Sequence, residues 1–202
     1  MKKLFLSLIV ACTLVGAAAA QEYMSIGLGY ASDTYNWTYL GEDQSYNFQS
    51  LGIVVEGFSG DPLGLYSAVS IGAITKGTGK SGAVSADFSF TPYELKVHFD
   101  ALLGLGYRFI SGDFDLILAG GVGFASTYLI PSDDYAYYYN SITYMTLGPG
   151  ATVSAAYNLS PKTALYASMR GFYGVAQITE YVSTFTNSVV ISPSAGLRIK
   201  IR

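Results

Sequence analysis

The chain has 202 residues, a formal net charge of −3 and one cysteine; half of its residues are hydrophobic and only 12% are charged. Soluble domains carry about 25% charged residues, so an ordinary hydrated surface is excluded, and the acidic balance excludes nucleic acid as a partner. With Cys12 alone, disulfides and cysteine catalysis are excluded as well.

Residues 1–20 follow the plan of a secretory signal, with Lys2 and Lys3, an apolar run over 4–15, and Ala18-Ala19-Ala20 ahead of Gln21. Ile9-Val10-Ala11-Cys12 resembles a lipobox, but cleavage there leaves an unusually short hydrophobic core. The expected mature chain starts at Gln21. It lacks thiols, which suits an oxidising compartment, and it keeps nine basic residues against fourteen acidic. Beyond this leader, no segment has the eighteen consecutive apolar residues of a transmembrane helix.

Eight strands are expected, over 23–31, 48–58, 63–74, 93–109, 114–128, 142–157, 163–176 and 188–202. The fourth is the clearest. One parity reads Tyr93, Leu95, Val97, Phe99, Ala101, Leu103, Leu105, Tyr107 and Phe109, and the other Glu94, Lys96, His98, Asp100, Leu102, Gly104, Gly106 and Arg108. Seventeen residues at about 3.3 Å each, tilted by ~45°, rise roughly 40 Å, enough to cross a bilayer core. A lysine or arginine facing lipid costs ~2 to 4 kcal/mol near the midplane, against a fold stability of ~5 to 15 kcal/mol. The apolar parity therefore faces outward.

The connections alternate. Residues 59–62, 110–113 and 158–162 are short, with Asp61-Pro62, Ser111-Gly112-Asp113 and Ser160-Pro161 as turn chemistry, while 32–47, 75–92, 129–141 and 177–187 are long. Long and short connections emerging on opposite sides describe an all-β, eight-stranded, antiparallel up-and-down transmembrane β-barrel with short periplasmic turns and long extracellular loops. Pro149 and Pro193 fall inside strands of a closed sheet and are read as bulge sites.

On the leader, strand count, loop rhythm and alternating last strand over 189–201, the whole mature chain resembles the small outer-membrane barrels of the OmpA-type, OmpX-type and OmpW-type superfamily. The resemblance implies one barrel domain over 21–202 and the outer membrane of a Gram-negative-type, diderm bacterium. It departs from those families at its end, which reads Ile199-Lys200-Ile201-Arg202 where they carry an aromatic residue.

Inward parity collects Glu56, Glu94, Lys96, His98, Asp100, Arg108, Asp115, Arg170, Arg198 and Lys200, near balance in sign. An eight-stranded barrel is only wide enough for side chains to fill, so a paired polar core is expected. Lipid A deacylase barrels carry a lipid-facing His-x-Ser pair; here the triplet is His98-Phe99-Asp100 and faces the lumen, so no catalytic residue, cofactor or metal is assigned. The expected loops hold Tyr35, Trp37, Tyr39 and Tyr46, then Phe88 and Phe90, then Tyr135, Tyr137, Tyr138 and Tyr139, then Tyr181 and Phe185. Tyrosine gives large contact area at low entropic cost. The expected role is a surface interaction or envelope-structure protein acting through these loops, with outer-membrane lipid and a host or envelope macromolecule as partners, and a monomeric state because a closed barrel has no free edge. The alternative is a narrow channel or an OmpW-like path for small or hydrophobic solutes. That path calls for an apolar upper lumen, and the inward run from Glu94 to Asp100 argues against one.

Overall fold

A computed structural model describes residues 22–39, 41–179 and 187–201. The expected leader with Cys12, and Tyr181 and Phe185 of the fourth loop, lie outside the described residues, as does the side chain of Tyr39. The strands are β1 (Tyr23–Tyr39), β2 (Glu42–Gly60), β3 (Leu63–Ser81), β4 (Val84–Asp87), β5 (Tyr93–Ser111), β6 (Phe114–Pro131), β7 (Ile142–Asn158), β8 (Thr163–Gly174), β9 (Ala176–Thr179) and β10 (Ser188–Lys200). Eight of them run β2-β1-β10-β8-β7-β6-β5-β3, and β3 pairs back to β2, which closes the barrel. Every neighbouring pair is antiparallel. The short β4 pairs with the upper end of β3, and β9 with the upper end of β7.

The first and last strands meet at the end that carries the short turns, where Tyr23 lies opposite Lys200. This end is called lower here, and the end with the long hairpins upper. The outward side chains form an apolar belt that includes Leu28, Leu105, Val122, Leu165 and Ile191, all exposed. Aromatic pairs edge it below, with Tyr107 and Phe109 at 4.6 Å and Phe114 and Tyr157 at 5.2 Å between ring centres. No described helix is long and apolar enough to cross a membrane.

Two of the expected long loops, 32–47 and 75–92, are in large part strand. β1 runs to Tyr39 and β2 starts at Glu42, just after Gly41 at φ +83°, and β3 runs on to Ser81 before Gly82, at φ +55°, turns it into β4. β6 continues through Pro131. The reason is visible in the rows across β1, β2 and β3. Leu28-Ile53-Ile71 and Tyr30-Leu51-Ala73 are apolar; directly above, Ser32-Gln49-Lys76, Thr34-Asn47-Thr78 and Asn36-Ser45-Lys80 are polar. The strands keep their alternation while its sign inverts. Polar outward positions above the belt look like loop in the sequence, although they are the wet face of a strand with an apolar inner face.

Local irregularities re-aim particular side chains. A bulge between Tyr93 and Leu95 leaves Glu94 without a partner on β6 and turns Tyr93, expected outward, into the barrel. A second irregularity at Gln49 and Ser50, opposite Thr75, keeps Lys76 outward. Pro149 sits where β7 leaves β8 for β9, and Pro193 where the β1–β10 ladder is interrupted between the Gly29–Ser194 and Ser32–Ile191 pairs. A missing N–H is tolerated at such breaks.

Candidate functional site

The lumen is stacked in layers. At the lower end Arg108 grips Asp115 with two groups, Nε to Oδ1 at 2.9 Å and Nη2 to Oδ2 at 2.7 Å, and lies 4.0 Å over the Tyr23 ring. Arg198 approaches Asp115 at 3.4 Å and donates to Ser25 at 3.0 Å and Ser154 at 2.7 Å. Above this pair, Glu56 accepts from Ser154 at 3.1 Å, from Ser194 at 3.2 Å and from Ser168. Phe58, Tyr66, Ala68, Leu102, Ile117 and Ala119 fill the space beside these groups. Inward glycines receive the large rings: a Cβ on Gly123 would stand 2.4 Å from Phe172.

The next layer ties six barrel strands together, β1, β3, β5, β6, β8 and β10. Asp100 on β5 accepts from Arg170 on β8, from Ser70 on β3 and from Ser192 on β10, the last at 3.2 Å. His98 places Nε2 3.1 Å from Asp100 and Nδ1 2.6 Å from Asp33 on β1. Tyr35 and Thr127 lie 3.2 Å apart at their hydroxyls, immediately beside Asp33. All these charged groups are buried, and buried charges persist when paired with opposite charge, as these are. The Ser70 and Ser192 hydroxyls both donate to the Asp100 carboxylate, so the layer braces the barrel across its strands.

An aromatic lid covers it. Tyr35 and Tyr144 stack at 4.9 Å, Trp37 and Tyr46 meet at 4.8 Å, and Phe48 meets Phe88 edge-on at 5.4 Å. Tyr35, Trp37, Phe48, Ile74, Tyr93, Leu129 and Tyr144 are buried together, with Tyr46, Phe88, Phe90 and Ile142 packed against them. Gly77 offers the floor on which Phe48, Phe88 and Phe90 rest. The upper lumen is therefore apolar, opposite to what the expected run from Glu94 to Asp100 suggested.

The structure places Glu56, His98, Asp100, Arg108, Asp115, Arg170 and Arg198 in the interior. It separates three expected members of that network. Glu94 is exposed at its bulge; Lys96 is half-buried with its ammonium 5.8 Å from the Phe90 ring centre; Lys200 is exposed at the lower rim, 5.9 Å from the Tyr23 ring centre. Tyr35 and Trp37, expected as external contacts, are buried in the lid because β1 carries them inward. Tyr135, Tyr137, Tyr138 and Tyr139 do stand on the connection between β6 and β7, where Tyr137 and Tyr138 are 91% and 77% exposed and meet edge to face at 5.1 Å. Asp33 was missed, although its signal was present. Continuing the outward parity of Met24, Ile26, Leu28 and Tyr30 puts Asp33, Tyr35 and Trp37 on the inner face.

No family model matches the sequence, and no curated protein does. Solved structures do. Neisserial surface protein A (NspA) aligns with a TM-score of 0.56 at 14% identity, over 89% of this chain and 96% of that one. The outer membrane protein OprG from Pseudomonas aeruginosa aligns at 0.54 and 12%, over 89% and 95%. The outer membrane protein AlkL, determined in lipid bilayers, aligns at 0.54 and 15%, over 88% of each chain. At such identities the likeness concerns the fold. Together with the closed eight-strand ladder and its exposed apolar belt, it identifies the chain as a small eight-stranded barrel of the outer-membrane type.

Proposed function

We propose that this barrel is a surface interaction protein that holds its upper hairpins outside the cell while its lumen stays shut. One observation carries the reading. The interior is filled by the Asp33–His98–Asp100–Arg170 layer beneath the Tyr35–Tyr144 stack, while Tyr137 and Tyr138 project into solvent. A rigid, filled scaffold that spends its large polar-tipped rings on an exposed connection has the composition of a binding surface. The partner is a host or envelope macromolecule met by the β6–β7 connection. Bacteria expressing the barrel are expected to adhere to a host-cell monolayer more than bacteria without it, and Y137S/Y138S is expected to remove the difference at equal surface abundance. Undiminished adhesion by that variant overturns the assignment to this connection.

The apolar upper lumen supports a second reading, a path for small hydrophobic solutes. The lid rings pack at 4.8 to 6.4 Å between centres, so this path requires the lid to open. Entry of a hydrophobic dye into proteoliposomes faster than into empty liposomes supports it, and equal rates remove it.

A further inference from the structure

The inversion of the outer face across β1, β2 and β3 brings three chemistries together in order of height. Lowest are the apolar rows Leu28-Ile53-Ile71 and Tyr30-Leu51-Ala73. Directly above them, Lys76 is the first charged side chain on this wall, in register with Gln49 and Ser32. Two outward positions higher on the same strand stands Lys80, roughly 13 Å further along it at about 3.3 Å per residue and, at a tilt of ~45°, about 9 Å higher. Between and beside the lysines lie Thr34, Asn47, Thr78, Asn36 and Ser45, a wall of amides and hydroxyls. Asn47 Nδ2 already bonds Ser32 and Thr34 at 2.9 Å each, so the wall is ordered before anything meets it.

The distribution of positive charge is the second observation. Among the described residues, Arg108, Arg170 and Arg198 are buried in the lumen, Lys96 lies inside over Phe90, and Lys162 and Lys200 belong to the lower end. Lys76 and Lys80 are thus the basic side chains presented outward in the upper half. Both are exposed, and no described hydrogen bond or ion pair engages either. The three rows themselves carry no carboxylate; Asp87 on β4 flanks the middle row opposite Thr78, and Asp43 stands opposite Thr38 in the row above, where it accepts from the Thr38 hydroxyl at 3.2 Å.

We infer that this wall is a binding surface for the phosphorylated glycolipid of the outer leaflet. Its acyl chains lie against the apolar rows, its two phosphates meet the ammonium groups of Lys76 and Lys80, and its sugar hydroxyls meet the amide and hydroxyl wall. A basic side chain at the edge of a membrane span attracts anionic headgroups, and ammonium is a compact point charge suited to phosphate. The inference rests on the transmembrane fold and on the upper end facing outward, and does not depend on what the β6–β7 connection binds.

The test is native mass spectrometry of the refolded protein in phosphatidylcholine nanodiscs doped with bis-phosphorylated lipid A, with dephosphorylated lipid A and phosphatidylglycerol as comparison lipids. Bis-phosphorylated lipid A is expected to be retained over both. K76Q and K80Q are each expected to weaken retention roughly fivefold, in line with the worth of one basic residue near an anionic surface, and K76R/K80R is expected to keep it. D87N is expected to strengthen it. A heat-dependent shift on a gel confirms that each variant is folded. Equal retention of phosphatidylglycerol overturns the sugar-recognising part, and retention unchanged in folded K76Q/K80Q overturns the proposal.

Discussion

Asp33 on the first strand meets Nδ1 of His98 on β5 at 2.6 Å, and the other ring nitrogen of His98 meets Asp100 at 3.1 Å. Two carboxylates from different strands are thereby joined through one imidazole, and Arg170 joins Asp100 from a third strand. Breaking a buried pair by removing one partner costs about 3 to 5 kcal/mol, because the other charge is left uncompensated. D100N keeps the volume and abandons Arg170, so urea unfolding in lipid vesicles is expected to show a loss in that range. D100L/R170M, which removes both charges, is expected to lose less than D100N alone.

The sign inversion between Tyr30 and Ser32 places the upper boundary of the apolar belt. L28R puts a guanidinium on the belt and is expected to cost ~2 to 4 kcal/mol. T34R, three outward positions higher on the same strand, stays within about 0.5 kcal/mol, as surface substitutions do. The same unfolding measurement decides it, and equal costs for the two variants move the boundary.

Gly123 and Phe172 face one another so closely that a side chain at 123 must displace the ring. G123A is expected to destabilise the barrel. In the F172A background the same change is expected to cost less, with a coupling of ~0.5 to 3 kcal/mol of the kind that contacting residues show.

The tyrosines divide into two populations that the sequence does not distinguish. Y35A opens a hole in the buried lid and is expected to cost ~3 to 5 kcal/mol, the range of large aromatic truncations. Y137S/Y138S touches exposed rings and is expected to leave stability unchanged within about 0.5 kcal/mol.

The barrel was legible because lipid imposes a single rule on its middle: outward apolar and inward polar or small, repeated with period two. Where that rule holds, as over Val97 to Phe109, parity gave both the strand and its facing, and the structure buries His98, Asp100 and Arg108 inside, in different layers. Above the belt water replaces lipid and the rule changes sign. Ser32, Thr34, Asn36 and Thr38 then read as loop, and Tyr35 and Trp37 between them as exposed contacts, although alternation never stops. Glu94 was misplaced for a different reason, since one inserted residue flips every side chain beyond it and a bulge leaves little trace in composition. Asp33 fell with the first error. The partner of His98 was therefore hidden even though His98 itself was placed inside.

The central claim is a membrane-spanning barrel whose lumen is filled, and single-channel recording of the refolded protein in planar bilayers tests it most directly. The account predicts insertion without reproducible conductance steps for the unmodified protein, and steps once both stoppers are cut in Y35A/Y144A/D100A/R170A. Regular steps from the unmodified protein, abolished by substitution at Asp100 or Arg170, would show that the ion-paired layer is a pathway and contradict the account.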